Sequence, residues 1–325
     1  MIDYLSLAKS TKAYKTVLTE RNTDTLSHAY LFISADKKLP EFLKIFAAEI
    51  CCKDGDPCMN CRNCRLILSG THPDVFNFPK GETVLTEDIE TLIDESYIKP
   101  LESDKKIFII SSADTMNASA QNKLLKTLEE PPKNVYILLG AKSESYLLST
   151  VLSRVKKIEI PAFSDKQLYD ALISEYTDSE KLTDAISLGD GTVGTAERYY
   201  SDKNTAVIEQ LISDIIVNMN SSRDILAFSE RISKLKDGFT DLLNGLEVAY
   251  RDMLFGLYGK ADKIKNKTLY QTTKNATGYG EGAIIDALES IEQANKRKKF
   301  NANSQMLTEW LLFKILEGKH KWQKL

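Results

Sequence analysis

The sequence predicts a parallel α/β domain followed by an all-α region, and two observations support this fold class. In the first 160 residues, short apolar runs rich in β-branched and aromatic residues alternate with segments of helical periodicity. Such alternation is typical of a mostly parallel sheet covered by helices. From about Thr205 onward, apolar residues recur at three-to-four spacing, which predicts a helical bundle. A chain of 325 residues can hold two or three domains.

The N-terminal region contains five predicted strands: Ala29–Ile33, Val75–Phe78, Ile107–Ile110, Val135–Leu139 and Lys157–Ile160. Helical periodicity lies between them, at Leu39–Cys52, Thr86–Ile98, Ser119–Glu130 and Ser145–Leu152. Pro161 ends the alternation, because proline lacks the backbone donor that a sheet or helix requires. We therefore place the first domain at residues 1–162.

The remaining chain is predicted to be helical throughout. Ser164-Asp165 is a candidate helix N-cap, and Gly189, Gly191 and Gly194 mark a turn before another helix. We assign residues 163–204 to a small helical domain and residues 205–325 to a larger one. The helices predicted in the larger domain are Ala206–Met219, Ser222–Lys236, Phe239–Leu257, Gly282–Arg297 and Ser304–Leu316. The polar stretch Gly259–Gly280 is predicted to be a loop or a short helix.

Composition and charge narrow the functional classes. Apolar residues make up 42% of the chain and charged residues 27%, as in soluble globular proteins. The net charge of −3 argues against a broad nucleic-acid-binding surface. No apolar run is nearly as long as a membrane span, which needs about 18 residues. The first residues of the sequence lack the apolar core of a signal peptide. We expect a cytoplasmic protein without membrane contact, whose cysteines are reduced.

Four of the five cysteines carry the strongest chemical signal. Cys58, Cys61 and Cys64 form two overlapping C-x-x-C units, and Cys52 lies six residues upstream. Four thiolates can close a tetrahedral zinc site, which leaves no position for a catalytic water, so the predicted site is structural. Free buried thiols or a redox pair are the alternatives, but three clustered cysteines with a fourth nearby favour zinc. Cys51 competes with Cys52 as first ligand and is interpreted as a small buried residue.

The third predicted strand is followed by Ser111 and Ser112. In a working ATPase of this architecture, two carboxylates at these places hold Mg²⁺ and orient water. A pair of hydroxyl groups cannot do this, so the pattern indicates an ATPase-like chain that does not hydrolyse ATP.

Six motifs follow one another in an order that carries a family resemblance: Ser27–Phe32, Lys44–Cys52, Gly70–Asp74, Asn122–Pro132, Ser153–Val155 and Asn301–Leu312. They resemble the delta-prime subunits of bacterial DNA polymerase III clamp loaders, in the AAA+ clamp-loader family. The resemblance is dense over residues 27–160 and thin from 165 to 300. It implies an AAA+ domain with a zinc module at 52–64, a helical lid, and a C-terminal collar that joins subunits into a hetero-oligomeric ring. Alignment of the Lys44–Cys52 helix favours Cys52 over Cys51 as a zinc ligand.

The departures from this family pattern concern the ATP site. Active loaders have a glycine-rich P-loop after the first strand, whereas Ser34–Pro40 reads SADKKLP and contains no glycine. Lys37 or Lys38 could be a relic of the P-loop lysine, although a solvated turn is the favoured interpretation. Gly194 stands where active relatives place a nucleotide-sensing arginine. We therefore expect no ATP on this chain, and no enzymatic activity of its own within the DNA polymerase III holoenzyme.

Arg154 is the residue to which the resemblance assigns activity. It implies an arginine finger that reaches the ATP site of an adjacent gamma/tau subunit, with Ser153 as its motif partner. A guanidinium there stabilises charge on the transferring phosphoryl group. Position alone favours a surface arginine in a basic run with Lys156 and Lys157, and the family resemblance reverses this preference.

The resemblance also implies the partners of the chain. These are the gamma/tau and delta subunits and, indirectly, the sliding clamp and primer–template DNA, within the cytoplasmic replisome. Two alternatives remain: an independent zinc-bearing nucleic-acid-binding protein, or an ATP-hydrolysing gamma/tau-type subunit.

Other polar residues receive structural interpretations. His28 and His72 are interpreted as structural. Glu129 and Glu130 are interpreted as a helix end before two prolines, because sequence neighbours point to different helix faces. The basic run Lys296–Lys299 is interpreted as a solvated helix end.

Overall fold

The computed structural model describes residues 2–52, 57–81, 83–201, 205–235, 238–298 and 303–323. Three residues named above, Lys236, Lys299 and Asn301, lie outside these ranges, as do residues 53–56 of the predicted zinc module. The chain divides into two compact units. The N-terminal unit comprises Met1–Glu175 with Thr192–Gly194, and the C-terminal unit comprises Tyr176–Gly191 with Thr195–Leu325. The division into three domains stays a prediction.

The N-terminal unit contains a five-stranded parallel sheet. Its strands are β1 (Ala29–Ile33), β2 (Val75–Phe78), β3 (Lys106–Ile110), β4 (Val135–Ala141) and β5 (Lys156–Glu159). They lie in the order β2-β3-β4-β1-β5, and every neighbouring pair is parallel. Every residue of β3 is buried, as expected for a central parallel strand covered on both faces. The predicted parallel α/β fold class is confirmed.

Eight α-helices accompany the sheet in the described part of this unit: α1 (Tyr4–Ser10), α2 (Lys12–Asn22), α3 (Leu39–Cys51), α4 (Arg62–Ser69), α5 (Thr86–Ser96), α6 (Ala118–Glu129), α7 (Ser149–Leu152) and α8 (Asp165–Leu172). A 3₁₀ turn, Ala113–Thr115, follows β3. The helices α1 and α2 were not predicted from the sequence. Asp3 and Thr11 cap these helices by accepting first-turn N–H groups. Glu49 of α3 then accepts hydrogen bonds from Tyr14 and Arg21, which fixes α2 to α3.

The segment predicted as one helix at Ser145–Leu152 is divided in the structure. It consists of a 3₁₀ turn, Glu144–Tyr146, followed by α7. The buried side chain of Gln121 explains the interruption, because it bonds the extended backbone between the two pieces. Its amide nitrogen donates to the Tyr146 carbonyl at 3.0 Å, and its oxygen accepts the Leu148 N–H at 2.7 Å.

The C-terminal unit is helical in all its described elements: α9 (Ser179–Leu188), most of α10 (Val193–Ser201), α11 (Thr205–Asn218), α12 (Ser222–Ser233), α13 (Gly238–Leu257), a 3₁₀ turn (Ala261–Lys263), α14 (Lys267–Thr273), α15 (Glu281–Lys298) and α16 (Ser304–Gln323). Their apolar faces form one core, and Trp310 packs against its edge. The Arg297 guanidinium lies 4.2 Å from the Trp310 ring centroid. None of the described helices combines the length and apolar content needed to cross a membrane.

Candidate functional site

The sulfur atoms of four cysteines converge in the N-terminal unit. The Sγ atoms of Cys52, Cys58, Cys61 and Cys64 all lie within 4.8 Å of one another. A tetrahedral zinc ion with S–Zn bonds of about 2.3 Å places its sulfurs about 3.8 Å apart. The four cysteines could therefore hold a metal ion, and their all-sulfur donor set is compatible with structural zinc.

The local backbone conformation brings these four sulfur atoms together. Cys52 directly follows α3, and Cys61 is the N-cap of α4. The Cys58 sulfur accepts the Cys61 N–H at 3.2 Å, and the Cys61 sulfur accepts the Cys64 N–H at 3.4 Å. This second hydrogen bond is the main cause that lowers the pKa of Cys61.

Cys51 does not belong to this group of sulfurs. Its side chain is 3% exposed, and its sulfur lies 3.8 Å from the Ser103 hydroxyl, which donates to it. Burial raises the pKa of Cys51 to about 11, so the thiol stays protonated at neutral pH. Of the two adjacent cysteines, Cys52 is the one whose sulfur joins the other three.

The segment after the last cysteine anchors a surface loop. Asp74 is fully buried, and its carboxylate accepts the N–H groups of Leu101, Glu102 and Ser103 at 2.6, 2.8 and 2.7 Å. Burial raises the pKa of Asp74, but these hydrogen bonds outweigh burial and lower it. The Nδ1 atom of His72 accepts the Asp74 N–H at 3.0 Å, which gives this histidine a structural contact.

The loop that follows β1 is held by hydrogen bonds to the carboxylate of Asp36, one of its own residues. Asp36 is 4% exposed, and it accepts the Lys38 N–H at 2.9 Å at the start of α3. It also accepts the N–H groups of Val193 at 2.8 Å and Gly194 at 3.0 Å. These are the first two residues of α10, so a carboxylate lies where helix-terminal N–H groups would otherwise be free to bind an anion.

Gly194 permits this close approach. A Cβ atom at this position would lie 3.1 Å from an Asp36 carboxylate oxygen and 3.1 Å from the Lys37 Cβ. Lys37 is exposed, whereas Ser34 is buried and continues the sheet by donating its N–H to the Ala141 carbonyl. The loop is therefore a short turn whose backbone is held by hydrogen bonds to Asp36.

Each of the two serines after β3 makes a hydrogen bond that involves the protein backbone. The Ser111 hydroxyl and N–H both donate to the Phe78 carbonyl, at 3.1 and 2.9 Å. The Ser112 carbonyl accepts the Thr115 hydroxyl at 2.8 Å at the start of a 3₁₀ turn. This arrangement supplies no carboxylate at either position to hold Mg²⁺.

Arg154 lies at the corner between α7 and β5. Its Nη1 donates to the Thr150 carbonyl at 2.8 Å and to the Ser153 hydroxyl at 3.0 Å. Its Nη2 forms an ion pair with Glu129 Oε1 at 2.7 Å. The Arg154 side chain is 34% exposed. It lines a shallow open pocket together with Ser153, Glu129, His28, Leu128 and Val155.

Comparison with known proteins identifies the family. The family described as "DNA polymerase III, delta subunit" matches residues 9–164. The DNA polymerase III delta' subunit of Bacillus subtilis (strain 168) is 31% identical to this chain over 307 residues. That alignment covers 91% of this chain and 92% of the relative. The chain belongs to the delta' family of DNA polymerase III clamp-loader subunits. This membership agrees with the AAA+ fold class predicted for it.

Other relatives of this delta' family member are also polymerase III subunits. The tau subunit of Bacillus subtilis is 22% identical, and the alignment covers 96% of this chain and 60% of that protein. The delta' subunit of Yersinia pestis is 39% identical over 100 residues, which is 30% of this chain and 29% of that protein. A solved DNA polymerase III gamma subunit-related protein of Thermotoga maritima is 19% identical, with a TM-score of 0.45. That comparison covers 93% of this chain and 99% of the Thermotoga chain.

Two site contacts of this delta' family member were missed by sequence reasoning. Asp36 was noted only as part of the glycine-free stretch Ser34–Pro40, and Glu129 was interpreted as a helix end. The contacts of Asp36 with Gly194 and of Glu129 with Arg154 join residues 158 and 25 positions apart. No local sequence pattern signals such contacts.

Proposed function

We propose that this chain is a non-hydrolysing delta' subunit that donates Arg154 to the ATP site of an adjacent gamma/tau subunit. The observation that supports this proposal is the Asp36 carboxylate, which accepts hydrogen bonds from the N–H groups of Val193 and Gly194. A nucleotide phosphate approaching these N–H groups would have to displace a buried carboxylate of its own charge. The chain thus lacks a site for its own ATP while it keeps an arginine at its surface.

The magnesium side of the ATP site supports the same conclusion. Mg²⁺ requires oxygen ligands in near-octahedral geometry, usually including one or two carboxylates. The Ser111 hydroxyl is hydrogen-bonded to the Phe78 carbonyl, and Ser112 offers a hydroxyl as well. Without the metal, charge on a transferring phosphoryl group would lack its main stabilising partner.

The geometry of Arg154 supports its proposed role in trans. The described contacts use three of the five N–H donors of the guanidinium. Its ion pair with Glu129 is exposed, and exposed pairs contribute only about 0–1 kcal/mol. A neighbouring triphosphate could therefore recruit this guanidinium without disrupting the fold.

The wider assembly follows from family membership as a proposal. The C-terminal unit would form the collar that packs with gamma/tau and delta subunits in a hetero-oligomeric ring. Its last helix, α16, exposes the apolar side chains of Met306 and Phe313, which such packing would cover. The assembled ring would load the sliding clamp onto primer–template DNA in the cytoplasm, and zinc in the cysteine cluster would stabilise the N-terminal unit.

The test is a reconstituted loader that carries Arg154→Ala. We expect assembly with gamma/tau and delta subunits to be normal, and ATP hydrolysis at the adjoining site to fall by about 10³-fold or more. Lys133→Ala provides a control, because Lys133 is an exposed cation near the end of α6. Undiminished DNA-dependent ATPase in the Arg154→Ala loader would refute the role. Tight ATP binding by the isolated chain would instead favour a gamma/tau-type ATPase.

A further inference from the structure

We infer that Glu129 is a positioning residue for Arg154, which deepens the proposed function and rests on it. Glu129 is the last residue of α6, and its carboxylate lies 2.7 Å from the Arg154 Nη2 atom. Its side chain is 49% exposed, so the contact does not contribute to a buried core. A polar contact at the surface beside a proposed catalytic arginine calls for a functional explanation.

The other contacts of the Arg154 guanidinium are with residues close to it in sequence. Thr150 and Ser153 lie within four residues of Arg154, and the Ser153 hydroxyl itself donates to the Thr150 carbonyl at 3.0 Å. These contacts orient the arginine relative to α7. Among the described residues, Glu129 supplies the contact that orients the guanidinium relative to a different helix.

The end of α6, which carries Glu129, is held in place by other contacts. A ring nitrogen of His28, which precedes β1, lies 2.9 Å from the Leu128 carbonyl oxygen in a hydrogen bond. The side chains of Leu124 and Leu128 are buried in the core beneath the sheet. The contact with Glu129 therefore fixes the Arg154 guanidinium relative to the sheet of the N-terminal unit.

The charges also favour a positioning role. A carboxylate at a helix C-terminus is disfavoured by the helix dipole, and the Arg154 guanidinium offsets this. Arginine has a long side chain with many rotamers, so a contact that selects one rotamer reduces the ordering left to do when a phosphate binds. The exposed pair is weak enough to rearrange when the neighbouring site closes.

The experiment measures steady-state ATP hydrolysis by the full reconstituted loader. We expect Glu129→Ala to lower kcat by about three- to tenfold with little change in the KM for ATP, because positioning acts in the transition state. Glu129→Gln keeps an acceptor oxygen, so we expect it to recover part of the loss. Glu130→Ala is the matched control, since Glu130 is the exposed carboxylate next in sequence.

A double-variant comparison separates this inference from the proposed function. If Glu129 acts through Arg154, adding Glu129→Ala to Arg154→Ala causes no further loss. A loss for Arg154→Ala with none for Glu129→Ala overturns the positioning role alone. A higher kcat for Glu129→Ala also overturns it, because Glu129 would then hold the arginine back. An Arg154→Ala loader with full activity refutes the proposed function itself.

Discussion

Replacing Asp36 with alanine tests the closed loop after β1 directly. The change removes the acceptor of three backbone N–H groups, those of Lys38, Val193 and Gly194. The bonds to Val193 and Gly194 are fully buried, whereas the bond to Lys38 is partly buried. We expect the variant to fold but to lose stability in the N-terminal unit.

The magnitude follows from the two buried donors. A buried N–H group left without an acceptor costs about 1–3 kcal/mol, and water can replace the partner of the partly buried one. Two such donors give a loss of about 3 kcal/mol in the free energy of unfolding. Asp36→Asn should lose less, because its oxygen can still accept the Lys38 and Gly194 N–H groups while its amide faces Val193.

The assay uses the uneven placement of two residue types. All five cysteines lie between Cys51 and Cys64, in the N-terminal unit, and both tryptophans, Trp310 and Trp322, lie in the C-terminal unit. Pulse labelling of thiols in urea therefore reports on the N-terminal unit, and tryptophan fluorescence reports on the C-terminal unit. We expect Asp36→Ala to lower the urea midpoint measured by thiol labelling.

Asp104→Ala is the matched control, since it removes an exposed carboxylate from the same unit. A thiol-labelling midpoint for Asp36→Ala that equals the control would show that the three hydrogen bonds contribute nothing to stability. Restored ATP binding by the variant would show that Asp36 alone closes the nucleotide site. We expect no such binding, because the loop still lacks glycines and the serines still replace the magnesium ligands.

Three further predictions concern stability and metal binding. The pKa of Asp74 is lowered in the folded chain. The Asp74 carboxylate therefore contributes fully to the free energy of unfolding above the unfolded pKa of about 3.9. That contribution is lost as the pH falls through the folded pKa. The acid unfolding transition, measured by far-ultraviolet circular dichroism, should accordingly be less steep in Asp74→Asn. Cys58→Ser should lower the zinc content from about one ion per chain to nearly none, as measured with a metal-sensitive dye after denaturation. Asp241→Ala leaves the Arg198 guanidinium without its two bonds of 3.1 and 2.6 Å and should destabilise the C-terminal unit by about 3 kcal/mol, detected by tryptophan fluorescence in urea.

Each of these has a contrary outcome. An unchanged acid transition in Asp74→Asn would mean that another carboxyl group controls it. Full zinc content in Cys58→Ser would show that three sulfurs suffice or that the metal lies elsewhere. An Asp241→Ala transition that matches the unsubstituted chain would show that water replaces the buried carboxylate, which is 1% exposed.

The strands were the most predictable part of the fold. Buried parallel strands read as continuous apolar runs, so β1 and β2 match their predicted bounds and β3 differs by one residue. The helix α1 was missed because it has only 7 residues, and α2 was missed because its sequence is largely polar. The boundary of α7 was wrong because a distant side chain, Gln121, bonds the backbone there.

The fold class, the family and the cysteine cluster could be inferred from the order of residues alone. These depend on local periodicity and spacing, which a linear chain displays directly. The hydrogen bond between Asp36 and Gly194 and the ion pair between Glu129 and Arg154 became visible only in the folded chain. Both contacts join distant parts of the chain, and they exist because the parallel sheet and its helices bring those parts together. Hydrogen bonds of this kind depend on distance in space, which the order of residues does not specify.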